Sequence, residues 1–182
     1  MFISVQELEL RRIEFDEEFK PALFDVGPDV ELAEPVRASG HAELVEEHHG
    51  KGRKVQDIRL VGSFSTRLRV KCARCLDPVE RPLGGIFDLI YRPVGEGAQG
   101  PVVAISEADT EIGFYTGDGL LLEDALTEQV LLSAPLKAVC REECKGFCPG
   151  CGNNLNEESC ACGAPSPDPR WAGLAEIKEK LK

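Results

Sequence analysis

The sequence predicts an α+β protein: a mainly antiparallel β-sheet, or a partly open barrel, with one central helix, a cysteine-rich C-terminal module and a C-terminal helix. Three observations carry this. Residues 58–72 alternate apolar and polar side chains, the period-two signature of a half-buried strand. Residues 120–133 space their apolar side chains at helical intervals. Six of the eight cysteines lie between Cys140 and Cys162. The expected division is a β-rich domain over residues 1–139 and a cysteine module with its closing helix over 140–182.

Taken in order, Phe2 to Leu10 reads as a first strand, with Ile3 and Val5 on one parity and Leu8 and Leu10 on the other after a phase slip. Arg11 to Asp25 reads as a short helix or a packed loop anchored by Phe15, Phe19, Leu23 and Phe24. Val36 to Val45 alternates cleanly, and HHGKG at 48–52 supplies a turn, so a hairpin follows. Ile58, Leu60, Phe64, Thr66, Leu68, Val70 and Cys72 then share one parity. Arg67, Arg69 and Lys71 take the other and form an exposed row, because successive strand side chains face opposite ways. Gly62 permits a bend midway. Val79 to Tyr91 is the returning strand, weakened in its first half by Pro82 and Gly84-Gly85, which suit an edge or a bulge. A loop over 93–101 and short strands at 101–105 and 112–115 follow. The helix over 120–133 turns Leu122, Ala125, Leu126, Gln129, Val130 and Ser133 to one side, with Asp118 as N-cap and Pro135 as terminator. Asp168-Pro169 starts a last helix, an acid followed by proline at its first position, with Trp171, Leu174, Ile177 and Leu181 as its apolar stripe.

The totals bound the function. With 182 residues and a 42% hydrophobic fraction, the chain can bury a core and lacks the composition of a disordered protein. A net charge of −11 argues against a protein that coats nucleic acid indiscriminately. That total hides an asymmetry: residues 51–74 carry eight basic side chains against one acid, Asp57. The N-terminus has no basic stretch followed by an apolar run, so it does not read as a secretory signal. No apolar stretch reaches the ~20 residues of a membrane span. The expectation is a cytoplasmic protein, and in the cytoplasm structural disulfides are rare.

The thiols therefore read as metal ligands. In Cys148-Pro-Gly-Cys151-Gly152, two thiolates sit two residues apart on a tight turn, and Gly152 lets amide N–H groups face the sulfurs. Cys160-Ala-Cys162 completes a four-thiolate set suited to tetrahedral Zn²⁺. The remaining pairs, Cys72/Cys75 and Cys140/Cys144, make a second four-thiolate site. The rival arrangement sets Cys140, Cys144, Cys148 and Cys151 around one ion, and a further rival makes Cys72/Cys75 a redox dithiol. No helix start follows Cys75 to lower its pKa, which counts against redox chemistry.

The basic row has two readings: a strand face balanced by acids such as Glu43, Glu46 and Glu47 on the adjoining strand, or a phosphate-contacting stripe of Arg67, Arg69, Lys71 and Arg74. GEGAQG at 95–100 matches a dinucleotide fingerprint in letters only, since Pro101 and two valines follow where a helix must open. His48 and His49 read as a solvated turn. No arrangement of nucleophile and base, or of paired carboxylates, points to catalysis.

The run Cys140-x-x-x-Cys144-Lys-Gly-Phe-Cys148-Pro-x-Cys151-Gly-x-Asn-Leu-Asn156, with Cys160-x-Cys162, Asp168-Pro169-Arg170 and the upstream Cys72-Ala-Arg-Cys75-Leu, resembles the bacterial YceD family, the large ribosomal RNA subunit accumulation proteins. The resemblance implies a non-enzymatic ribosome-biogenesis factor supporting processing or accumulation of that RNA, with no small-molecule substrate and no membrane. Its partner would be ribosomal RNA precursor or a large-subunit ribosomal protein. The alternative is a zinc-stabilised protein–protein adaptor without direct RNA contact.

Overall fold

The computed structural model describes residues 1–49, 53–95, 112–163 and 170. The tip of the 48–52 turn, most of the glycine loop at 95–100, the strand expected at 101–105 and, Arg170 apart, the closing helix lie outside these residues. The chain forms two compact units: Met1–Val70 with Pro78–Leu136, and Lys71–Asp77 with Lys137–Lys182. The boundary expected at 139/140 therefore falls a few residues earlier, and the second unit also takes in the segment that carries Cys72 and Cys75.

The first unit is built on a mixed, mostly antiparallel sheet in the order β2-β4-β5-β6-β7, where β2 is Ile13–Phe19, β4 Val36–His49, β5 Arg53–Lys71, β6 Pro78–Pro93 and β7 Ile112–Tyr115. No described pairing joins β2 to β7, so the sheet is open rather than a closed barrel. β3 (Val30–Leu32) pairs with the last residues of β5, ahead of β4 along the same strand. β6 and β7 pair in parallel, and only over Ile90–Pro93. Among the described residues this leaves the Pro82 half of β6 on an edge, where a residue without an N–H is tolerated.

Burial follows the alternation. Ile58, Leu60, Phe64, Thr66 and Leu68 are buried along β5, and Val79, Phe87 and Tyr91 along β6. Gly62 lies opposite Gly40 of β4. A Cβ on Gly40 would fall 2.2 Å from the Val61 carbonyl oxygen and 2.9 Å from the Phe15 ring; one on Gly62 would fall 2.9 Å from the Phe87 ring. The glycine pair is where two strands and two aromatic rings approach too closely for any side chain.

Three local expectations are corrected. The first strand, β1, spans only Phe2–Ser4, and Val5–Leu8 forms the short helix α1; the phase slip in the sequence marks that change. The expected helix or loop at 11–25 is strand β2 over Ile13–Phe19, where Ile13, Phe15 and Phe19 are buried, and only Pro21–Leu23 forms a short 3-10 turn of helix. The central helix α2 spans Leu122–Ser133 and starts after Leu121, without a side-chain cap. Gly119–Leu121 is strand β8, paired with β1, and the Asp118 carbonyl accepts a bond from the Val5 N–H at 2.8 Å instead of opening the helix. Glu123 and Asp124 occupy the first turn, where the helix dipole favours anions. Leu122, Ala125, Leu126 and Val130 bury one face of α2, while Ser133, expected on it, is exposed. No helix among the described residues is long and apolar enough to cross a membrane.

The one acid of the basic segment has a structural place. Asp57 is fully buried and accepts two bonds from the Arg92 guanidinium, at 3.1 and 2.7 Å, with Arg92 4% exposed. Strand alternation puts Asp57 on the face of β5 opposite Ile58 and Leu60. The two charges thus sit outside the main apolar cluster, paired in a fork geometry that satisfies both.

Candidate metal centre

The second unit gathers all eight cysteines into two groups of four, in each of which the sulfurs lie within 4.8 Å of one another: Cys72, Cys75, Cys140 and Cys144, and Cys148, Cys151, Cys160 and Cys162. The rival set of Cys140, Cys144, Cys148 and Cys151 is not the grouping the fold makes. Contacts of 3.9 Å between Cys72 and Cys144 and 3.7 Å between Cys75 and Cys140 match the ~3.8 Å edge of a tetrahedron whose centre lies about 2.3 Å from each sulfur, as around zinc. Cys148 and Cys160 are closer, at 3.3 Å. All three distances are far beyond the ~2.05 Å of a disulfide.

Both C-x-x-C turns fold the same way. The Arg74 N–H reaches Cys72 Sγ at 3.4 Å, and the Gly150 N–H reaches Cys148 Sγ at 3.4 Å. The Leu76 N–H bonds the Cys72 carbonyl at 3.0 Å; the Gly152 N–H bonds the Cys148 carbonyl at 2.8 Å. Closing such a turn drives the residue after the second cysteine into the left-handed region, with φ of +77° at Gly152 and +61° at Leu76. Glycine takes that geometry freely and leucine does not. Leu76 is 59% exposed, so little side-chain packing compensates. Leu76→Gly is expected to stabilise the metal-loaded protein by up to about 1 kcal/mol, since relief of left-handed strain exceeds glycine's added freedom in the unfolded chain. Thermal unfolding measures it, and a lower midpoint would show that the leucine side chain contributes more than its backbone costs.

The two ligand pairs of the first site are stitched together by backbone. The Ala73 N–H bonds the Ala138 carbonyl at 2.8 Å, and the Cys140 N–H points at Cys72 Sγ at 3.4 Å. Arg74 donates to the carbonyls of Glu142 and Cys144 at 3.0 and 2.8 Å. Gly146, with φ +68°, passes so close that a Cβ would meet the Arg74 carbonyl oxygen at 2.7 Å.

Sequence reasoning gave Asn156 no role, yet it organises this region. Its Nδ2 donates to Cys144 Sγ at 3.4 Å and to Asn154 Oδ1 at 2.9 Å, and its Oδ1 accepts from the Lys145 N–H and from Arg141, both at 2.9 Å. A side-chain amide can donate to a thiolate and accept from the backbone at once, and two asparagines in N-x-N beside the thiols were the legible signal.

The thiols do not titrate alike. Burial pushes Cys72 up, but backbone N–H groups of Arg74, Cys75 and Cys140 outweigh it and bring the thiol down to about 6. Backbone N–H groups of Cys151 and Gly150 bring Cys148 to about 6. Cys162 is pushed up to about 12 by hydrogen bonds to, and the negative charge of, Cys151 and Cys148. Burial raises Cys140 as well, and the neighbouring Cys148 raises Cys160. Burial also opposes ionisation of Cys144, but the Asn156 amide and the Gly146 N–H outweigh it and lower that thiol too. N–H donors thus favour the thiolate at Cys72, Cys144 and Cys148, while Cys140, Cys160 and Cys162 resist ionising beside them, a balance that a bound cation would relieve.

The expected basic stripe is differently arranged. Arg67 pairs with Glu34 at 2.9 Å, and Arg69 with Glu31 at 3.2 Å and Glu80 at 2.8 Å. Arg59 forks onto Asp88 at 2.8 and 2.6 Å, with Glu43 at 3.8 Å. The balancing acids come mainly from β3, β6 and the turn before β4, rather than from the 43–47 stretch alone. Arg74 is spent on backbone carbonyls of its own unit. Lys71, exposed at the end of β5, has no ion-pair partner among the described residues.

A β-rich unit and a second unit that gathers two four-cysteine groups mark a protein with two candidate metal sites. The chain belongs to the YceD family, described as large ribosomal RNA subunit accumulation protein YceD, whose profile matches residues 60–178. An uncharacterised protein of Mycobacterium tuberculosis is 31% identical over 67% of this chain and 56% of its own length. The large ribosomal RNA subunit accumulation protein YCED homolog 1, chloroplastic, of Arabidopsis thaliana is 33% identical over 71% of this chain and 47% of its own. An uncharacterised protein of Mycobacterium leprae is 24% identical over 86% and 67%. The chain spans about half the length of the first of these curated relatives. No solved structure gives a significant match.

Proposed function

We propose that this protein is a non-enzymatic factor supporting accumulation of large-subunit ribosomal RNA, that zinc fills both four-cysteine sites as a structural ion, and that it acts by docking a basic protein partner. The family supplies the ribosomal link. Tetrahedral sulfur spacing supports zinc, which closes such a site without redox chemistry.

The observation that carries the adaptor reading over direct RNA contact is the pairing of Arg67 and Arg69 with Glu34, Glu31 and Glu80. Guanidiniums already held by carboxylates release few counterions from phosphate. Zinc deepens the acidity, because four thiolates around a divalent ion retain a charge of about −2. A chain already at −11 then suits a basic ribosomal protein better than a polyanion. Arg67, Arg69, Lys71 and Arg74 remain the residues by which direct RNA contact would be tested.

The test is co-purification of ribosomal proteins with the tagged chain before and after nuclease, alongside binding of precursor RNA fragments over a salt series. Association surviving nuclease is expected, with RNA binding unchanged in an Arg67→Glu/Arg69→Glu/Lys71→Glu variant. Association lost with the RNA, together with a shallower salt slope in that variant, restores the stripe.

A further inference from the structure

A cavity of about 440 Å³ lies in the first unit, lined by residues of β1, β7, β8 and α2 and by Tyr91 of β6. Four of the chain's eleven aromatic residues line it: Phe2, Tyr91, Phe114 and Tyr115. Two of these, Phe2 and Phe114, are 52% and 62% exposed, and Leu121 beside them is 45% exposed. Three large apolar side chains that the core leaves uncovered therefore meet in one concavity, rather than lying scattered as single exposed residues do.

Its charges have one sign. Asp124 and Glu128 line it from α2, and among the described residues no basic side chain does. They stand four residues apart on one helix face, a like-charge spacing that costs a helix a few tenths of a kcal/mol. Burial pushes the Tyr91 phenol up to about 12, and the negative charge of Glu128 and Asp124 adds to it. Aromatic faces present negative potential, so rings and carboxylates attract the same ligand: a cation on an apolar stem.

We propose that this cavity is a docking site for a basic segment of a protein partner, which inserts a lysine or arginine side chain between the aromatic rings and the Asp124/Glu128 pair. The stem of such a side chain packs on Phe2, Phe114 and Leu121 while its charged head meets the carboxylates, a division of labour that long basic side chains perform well. The ribosomal identity of the partner rests on the function proposed above; the binding chemistry does not.

The test uses a short synthetic peptide alternating arginine or lysine with leucine, and a glutamate-for-arginine counterpart of equal length, titrated into the intact metal-loaded protein and followed by NMR and calorimetry. Because the whole chain is acidic, the decisive control is a charge-matched variant elsewhere, Asp16→Asn/Glu17→Gln on exposed positions of β2. The basic peptide is expected to shift resonances of Phe114, Tyr115, Asp124 and Glu128. Asp124→Asn/Glu128→Gln should weaken it about tenfold or more, Phe114→Ala by several-fold, and the β2 control hardly at all. Equal weakening by both charge-neutralised pairs, binding unchanged in Phe114→Ala, or no binding of the basic peptide each overturns the site. None of these bears on whether the protein acts in ribosomal RNA accumulation, so the two readings fail separately.

Discussion

Substituting Cys144 with serine is expected to lower the zinc content of protein purified without added metal from about two ions per chain to about one, as is Cys72→Ser. Cys148→Ser should also lose one ion, from the other site. Elemental analysis of the three variants distinguishes the pairing in the fold from the rival set of Cys140, Cys144, Cys148 and Cys151. Under that rival, Cys72→Ser keeps its full zinc and Cys148→Ser loses the only ion. Cys72, Cys75 and Cys144 are buried while Cys151 and Cys162 are exposed, so emptying the first site should loosen the second unit more than emptying the second. In small zinc modules the ion supplies on the order of ten kcal/mol of apparent binding energy, and that energy is folding energy. Chelation should therefore broaden the resonances of residues 137–163 and leave the first unit's core largely as it was. Every thiol ligand must lose its proton to bind, so the zinc affinity is expected to fall as pH falls.

Asp57→Asn is expected to destabilise the protein by about 3–5 kcal/mol, because it removes the carboxylate charge that the buried Arg92 guanidinium meets with two bonds. The pair sits 0% and 4% exposed, so water cannot replace the lost carboxylate. Replacing both partners with apolar residues of similar volume, Asp57→Leu with Arg92→Met, should recover much of the loss, since a buried ion pair exchanged for packed hydrophobes is often near neutral. Denaturant unfolding of the single and double variants decides. A single-variant cost below about 1 kcal/mol would mean that water or other groups solvate Arg92.

Several parts of the fold were legible in the chain because a strand advertises itself by period and a cysteine by its chemistry. The alternation from Ile58 to Leu68 predicted both the strand and its buried face. Four cysteine pairs at metal-ligand spacing pointed to two four-thiolate sites. The misread parts share one cause: a short segment whose state is chosen by its partner. Val5 to Leu8 is too brief to show a helical period. Gly119–Leu121 looks like the first turn of a helix until β1 pairs with it. Ile13, Phe15 and Phe19 did alternate, but the acids Asp16 to Glu18 between them masked the signal.

The basic stripe shows the limit most clearly. Sequence places Arg67 and Arg69 on the exposed face of β5 and counts their charge correctly. Whether that charge is available depends on Glu31, Glu34 and Glu80, tens of residues away or on the far side of a turn, and pairing over such separations leaves no trace in local composition. The same holds for Asp57, which reads as a lone acid among bases until Arg92 is brought beside it, and for Phe2, Phe114 and Asp124, which share a cavity only once β1, β7 and α2 have packed. The sequence by itself singled out the eight candidate metal ligands, the buried face of β5 and the resemblance to the YceD family. Tertiary structure alone decided which charges are spent and which remain to meet a partner, because electrostatic neutralisation acts through space over a few ångströms and takes no account of distance along the chain.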